Sequence, residues 1–207
     1  MSVNMKLVKQ AKQIIIRNVD KSSQSRDKTI VHNILLPNSI RALIVGPSNC
    51  GKTNVMISLI ESPNGLRFKN VHVYSKSLYQ PKYCYLRKLI KPIKEINLFT
   101  FSENDEVLTP AKAYPHSIII FDDIICEKQN NIRDYFCMGR HKFIDCFYLS
   151  QTYTKIPKHL MRDNANMIII FKQDEMNLKR IYNYHIIGDM TFKQFVNLCS
   201  ECSKDKE

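Results

Sequence analysis

The chain has 207 residues, enough for one mid-sized α/β domain with a buried core and too few for two of ordinary size. Hydrophobic residues make up 44% and charged residues 24%, ordinary globular usage that excludes a fibrous or disordered reading. With 31 Lys and Arg against 19 Asp and Glu, the formal net charge is +12, which makes a polyanion the natural partner for part of the surface.

The N-terminus, Met1-Ser2-Val3-Asn4-Met5-Lys6, lacks the apolar stretch of a secretory signal, so the seven cysteines are expected as thiols in a reducing compartment. In the first 40 residues a polar stretch, 20–28, separates Ile14-Ile15-Ile16 from Ile34-Leu35-Leu36. This reads as a strand or short helix, then a loop, with Pro37-Asn38-Ser39 as a turn that redirects the chain. Residues 1–40 are expected as an N-terminal extension packed on the core, and 41–207 as a single catalytic domain.

From Ala42 onward, short runs rich in β-branched or aromatic residues recur at 42–45, 71–74, 118–121, 147–149 and 167–171. The gaps between them are long enough for crossover helices, which predicts a parallel sheet flanked by helices, an α/β fold. Helices are predicted over 52–61, with Ser62-Pro63-Asn64-Gly65 as stop signal, near 83–91, and over 130–138, 174–184 and 191–202. The longest apolar runs, 117–121 and 167–171, are far short of the roughly 20 residues a bilayer span needs, so no membrane partner is expected. Cys199 and Cys202 form a lone C-x-x-C without a second pair at zinc-site spacing, and read as two helix-borne thiols.

The string Gly46-Pro47-Ser48-Asn49-Cys50-Gly51-Lys52-Thr53 satisfies G-x-x-x-x-G-K-[ST] between a predicted strand and a predicted helix, the setting of a phosphate-binding loop (Walker A). Glycines let successive backbone N–H groups turn toward phosphates, and the following helix start adds its positive dipole end. Lys52 is expected to reach the β- and γ-phosphates of ATP, and Thr53 to offer its hydroxyl to Mg²⁺. The run Ser117-Ile118-Ile119-Ile120-Phe121-Asp122-Asp123 is an apolar strand ending in two carboxylates, the form of a Walker B element. Side by side and buried without a cation, they would repel and be costly to desolvate. Asp122 is therefore the expected Mg²⁺ holder and Asp123 the acceptor of a proton from the attacking water, a role usually given to the longer Glu. At the tip of the next strand, in Ser150-Gln151-Thr152, Gln151 is the candidate to sense the γ-phosphate or orient water. These elements together define a P-loop NTPase.

In this order the elements resemble the DNA-packaging ATPases of the FtsK/HerA superfamily, in particular the poxvirus-type enzyme also encoded by large DNA viruses, virophages and Maverick/Polinton elements. The likeness runs from Arg41 to Phe171. Besides the loop and the double-Asp strand it rests on Gly139-Arg140-His141 ahead of the next strand, on Ser150-Gln151-Thr152, and on Ile156-Pro157-Lys158-His159-Leu160-Met161-Arg162-Asp163-Asn164-Ala165-Asn166 leading into the last core strand. The resemblance implies a RecA-like (ASCE) sheet in a homo-oligomeric ring with each nucleotide held between neighbours. It implies Arg140 as an arginine finger acting on the adjacent subunit, with Arg162 as second choice. It also implies a motor that drives double-stranded DNA into a preformed capsid, with a capsid or portal component as partner, at the site of virus assembly in the host cytoplasm or nucleus, or in the virion, and not secreted. The chain departs from the pattern at Asp123, and its end at Glu207 leaves little room for an added DNA-binding or nuclease domain.

Candidate DNA contacts are Lys82, Arg87, Lys88, Lys91 and Lys94, interleaved with Tyr79, Tyr83 and Tyr85. The same run also reads as a solvated helix face with core tyrosines. Other readings of the domain are a helicase or segregation-type translocase, a non-hydrolysing switch or capsid-associated subunit, and a small P-loop nucleotide kinase. The kinase would need an acceptor pocket and an arginine-bearing lid, whereas the double Asp and the strand-tip Gln favour water as acceptor.

Overall fold

The computed structural model describes residues 32–102, 105–124 and 129–203. The strand or short helix expected at Ile14-Ile15-Ile16 lies outside them. Six strands, β1 (Arg41–Val45), β2 (Asn70–Ser75), β3 (Asn97–Phe101), β4 (Ser117–Asp122), β5 (Ile144–Ser150) and β6 (Met167–Ile170), form one sheet in the order β3-β2-β4-β5-β1-β6. Every pairing is parallel. Five α-helices accompany it among the described residues: α1 (Lys52–Glu61), α2 (Pro81–Ile90), α3 (Gln129–Met138), α4 (Glu175–Ile181) and α5 (Phe192–Glu201).

The strands read as near-continuous apolar runs because helices cover both faces, so successive side chains are buried on alternate sides. Ala42, Ile44, Val71, Val73, Ile118, Ile120, Phe147 and Leu149 pack with Met56 and Ile60 of α1 and with Tyr83, Leu86 and Ile90 of α2. Leu43, Val45, Tyr74, Ile119, Phe121, Cys146 and Tyr148 face the other way, toward Ile132, Tyr135 and Phe136 of α3, Leu178 and Ile181 of α4, and Phe195 of α5.

Strand β3 is not among the expected elements. Its sequence, Asn97-Leu98-Phe99-Thr100-Phe101, is short and polar-interrupted, and as an edge strand it has one neighbour and needs no continuous apolar run. Strand β5 begins three residues earlier than the 147–149 run, because Asp145 breaks the apolar pattern without breaking the strand. Its carboxylate accepts from the Ile40 N–H on Oδ1 at 2.7 Å and from His32 Nε2 on Oδ2 at 2.8 Å. His32 Nδ1 in turn accepts from the Arg67 N–H at 3.0 Å, which puts the imidazole proton on Nε2. The helix expected over 174–184 is α only to Ile181; Tyr182–Ile186 follow as a wider π turn.

One side chain is buried against expectation for its polarity. His72 on β2 is 1% exposed, stacks on Phe99 with ring centres 4.7 Å apart, and finds no hydrogen-bond partner for either ring nitrogen among the described residues. Burial pushes its pKa down to about 4, so it sits in the core as a neutral ring.

The register sets the site. Because all strands are parallel, their C-terminal ends lie along one edge, and Val45 pairs with Ser150 while Asp122 pairs with Leu149. The residues that follow β1, β4 and β5 are thereby delivered side by side, although they are far apart in sequence.

Candidate phosphate-binding site

The loop leaves β1 at Gly46, whose N–H donates to the Ser150 carbonyl at 3.1 Å. A Cβ here would lie 2.5 Å from Cys50 Sγ and 2.6 Å from Phe171 Cβ, so the close approach of the loop to the end of β6 admits only glycine. Asn49 at φ 62 and Gly51 at φ 101 adopt the left-handed conformation, and these two positions curl the loop before α1 starts at Lys52. No side chain caps α1, which leaves its first amides available to a ligand.

Lys52 is buried, and its ammonium donates to the carbonyls of Gly46 at 2.6 Å and Pro47 at 2.8 Å, folded over the loop. Thr53 Oγ1 donates to Asp122 Oδ2 at 3.1 Å. Two further donors come from the first turn of α2. The Tyr83 hydroxyl also donates to Asp122 Oδ2, and Lys82 Nζ donates to Thr53 Oγ1 at 3.4 Å. Burial, reinforced by the Asp122 charge, raises the Tyr83 hydroxyl far above its ordinary range, so it remains a proton donor. Where β4 ends, the chain turns sharply: Asp122 is buried, while Asp123, at φ 56, is exposed and accepts from Gln151 Nε2 at 2.8 Å. Lys52, Thr53, Asp122, Asp123 and Gln151 all line one cleft, with Ser48, Asn49 and Gly51 from the loop. Pro47 and Ser48 border an adjoining cleft with Gln151 and Lys172. The Thr53 hydroxyl and the Asp122 carboxylate are hard oxygen donors beside the loop, and they fit Mg²⁺, which takes one or two protein oxygens and completes its shell with phosphate and water.

Arg140 is not part of this cleft. It sits exposed in the 3₁₀ turn Gly139–Lys142 that precedes β5, at the opposite edge of the sheet. There, burial and then the nearby Arg140 charge lower the pKa of the Arg41 guanidinium. Arg162 is 8% exposed, its guanidinium 5.1 Å from the Tyr153 ring and 5.0 Å from the Tyr184 ring. This stacking occupies it within its own chain.

The basic run expected to contact DNA divides in two. Lys88, Lys91 and Lys94 are exposed and Arg87 is half-buried, but Lys82 turns into the cleft instead of a DNA-facing surface, and Tyr83 is a core tyrosine whose hydroxyl reaches Asp122. Tyr79 is exposed, and the Tyr85 hydroxyl donates to Glu61 Oε1 at 2.7 Å. Sequence reasoning missed Lys82 as a cleft residue, together with Ser75, Ser77 and Gln80, which also line it, and missed the buried Tyr83 hydroxyl as a donor to Asp122. The signal was present: Pro81 marks the first turn of α2, and in a parallel sheet the turn after β2 falls on the same edge as the phosphate loop.

No protein-family model matches the chain, and no curated protein is similar to it in sequence. Among solved structures, it is similar to the genome packaging NTPase B204 from Sulfolobus turreted icosahedral virus 2 in complex with sulfate, with a TM-score of 0.50 and 12% identity over 77% of this chain and 86% of that one. The same NTPase in complex with AMP gives 0.48 and 11% over 72% and 83% of the two chains. The large terminase from a thermophilic bacteriophage gives 0.44 and 13% over 70% and 44%. At these identities the likeness is one of fold: a P-loop NTPase sheet, all parallel and flanked by helices.

Proposed function

We propose that the chain is an ATP-hydrolysing motor that moves double-stranded DNA into a capsid as one subunit of a homo-oligomeric ring. The observation that carries this reading is the convergence of Lys52, Thr53, Asp122, Asp123 and Gln151 on one cleft beside a glycine-turned loop. The fold shared with a genome packaging NTPase and the net charge of +12 support it.

In this proposal the loop amides and the start of α1 hold the phosphates, and Lys52 exchanges its two carbonyl acceptors for β- and γ-phosphate oxygens, a stronger charge-assisted pairing. Thr53 and Asp122 would hold Mg²⁺, which neutralises charge on the β- and γ-phosphates. Gln151 and Asp123, already hydrogen-bonded to each other, orient a water on the γ-phosphate side, and Asp123 takes its proton. Arg140, exposed at the far edge, is presented to a neighbouring subunit rather than to its own cleft. Arg87, Lys88, Lys91 and Lys94 grip the DNA backbone without reading sequence. The partners are duplex DNA and a capsid or portal component, met where virions assemble in the host cytoplasm or nucleus.

The test is ATP turnover with and without duplex DNA, measured together with oligomeric state. Turnover should rise with DNA of any sequence, and DNA affinity should fall with salt at a slope of about −0.9 in log-log terms per neutralised phosphate. Turnover indifferent to DNA would overturn the motor, and phosphoryl transfer to a nucleotide instead of water would make the protein a kinase. A capsid-filling assay separates packaging from helicase or segregation-type translocation.

A further inference from the structure

Lys52 is not alone in the cleft. Lys82, the second residue of α2, enters from the β2–α2 side, half-buried, with its ammonium 3.4 Å from Thr53 Oγ1. The later basic residues of the same stretch, Lys88, Lys91 and Lys94, are out in solvent, so position in the first helical turn separates Lys82 from them. Its place is held from both sides along the chain. Pro81 sets the backbone at the start of the helix, and Tyr83 is 3% exposed with its hydroxyl on Asp122. The start of the helix thus fixes where the stem of Lys82 leaves the backbone, on the turn that also places the Tyr83 hydroxyl on Asp122.

The two ammonium groups lie on different sides of the cleft. Lys52 rests on the carbonyls of the loop itself, whereas Lys82 reaches the hydroxyl one residue further along α1, next to Asp122. A phosphate chain seated in the loop extends its terminal group toward Thr53 and Asp122, which is the side Lys82 occupies. We propose that Lys82 is a second phosphate-directed cation, supplied by the same subunit, that contacts the terminal phosphate of a bound nucleoside triphosphate and lets the site distinguish triphosphate from diphosphate. This rests on reading the cleft as a nucleotide site.

The experiment is equilibrium binding of ADP and of the slowly hydrolysed adenosine 5′-(γ-thio)triphosphate, with Mg²⁺, to the wild-type chain and to Lys82→Ala, Lys82→Arg and Lys52→Ala. Lys82→Ala should weaken the triphosphate about tenfold, the size of one lost hydrogen bond to a charged group, and change ADP less than about twofold. Lys82→Arg should recover most of the loss, because it restores a cation, while Lys52→Ala should weaken both nucleotides. Equal losses for the two nucleotides in Lys82→Ala, or no loss, would overturn the proposal and leave the nucleotide site standing. A wild-type chain that binds neither nucleotide would remove the site and the proposal together.

Discussion

Two aspartates on adjacent strands, Asp122 at the end of β4 and Asp145 at the start of β5, are buried to the same degree, 9% and 7% exposed, and yet they are different objects. Asp145 has a protein donor on each oxygen, the Ile40 amide on one and His32 on the other. Asp122 has two donors on a single oxygen, Oδ2, and no described residue donates to Oδ1. A buried carboxylate with both oxygens engaged by its own chain acts as a structural clamp, whereas one with a whole oxygen left without a described donor on the wall of a cleft keeps acceptor capacity for a ligand. Burial alone does not separate them; completeness of hydrogen bonding does.

If the two edges of the sheet differ in this way, the largest effects belong to the C-terminal one. Lys52→Ala should abolish tight nucleotide binding or turnover with the fold intact, and retained turnover would break the comparison at its strongest point. Asp123→Asn should lower turnover by about 10²- to 10⁴-fold while sparing Mg²⁺-ATP binding, since an amide cannot take the proton from water. Loss of binding instead would make Asp123 a metal ligand.

In the proposed ring, the N-terminal edge would enter the chemistry through Arg140, acting in trans. Arg140→Ala should depress turnover by about 10³- to 10⁵-fold with nucleotide binding retained. Mixed with Lys52→Ala protein it should regain activity, because some interfaces then pair an intact loop with an intact arginine. Mixed rings without activity would exclude Arg140. Arg162 would then be the next residue to test, although leaving its stack on Tyr153 and Tyr184 would be an added cost.

The clamp predicts a stability effect. Asp145→Ala leaves the Ile40 amide and His32 unanswered in a buried place and should cost about 3 kcal/mol in denaturant unfolding, with nucleotide affinity kept. Asp122→Ala should instead abolish the Mg²⁺ dependence of binding, and it too should cost stability, because the buried Tyr83 and Thr53 hydroxyls lose their acceptor. The smallest effect expected is that of His72. Its folded pKa of about 4 lies below the ordinary 6.5, so the unfolded chain takes up the proton first, and stability is complete above pH 6.5 and is lost as pH falls toward 4. Between pH 7 and pH 5 this should amount to about 1 to 2 kcal/mol, and His72→Leu should remove that part of the acid sensitivity.

Much of this was legible in the sequence because it is local. The glycine and Asn positions of the loop adopt backbone conformations that few residues favour, strands covered on both faces are largely apolar, and two carboxylates end the apolar run of β4. Those features lie within a few residues of chain, and they determined the parallel α/β fold and the residues Lys52, Thr53, Asp122, Asp123 and Gln151 that line the cleft. Tertiary structure alone decided the rest. Lys82 and Tyr83 look like part of a basic, aromatic surface run until the strand order brings the first turn of α2 against β4 and α1. Asp145 looks like an interruption in a strand until His32, 113 residues away, closes on it. Arg162 looks available until two tyrosines stack on it, and β3 becomes a strand only by pairing with β2. For Lys82, Tyr83 and Asp145 the deciding partner is 29, 39 and 113 residues away, and the tertiary packing of the sheet and its helices, which no local pattern of residues encodes, sets the two side by side.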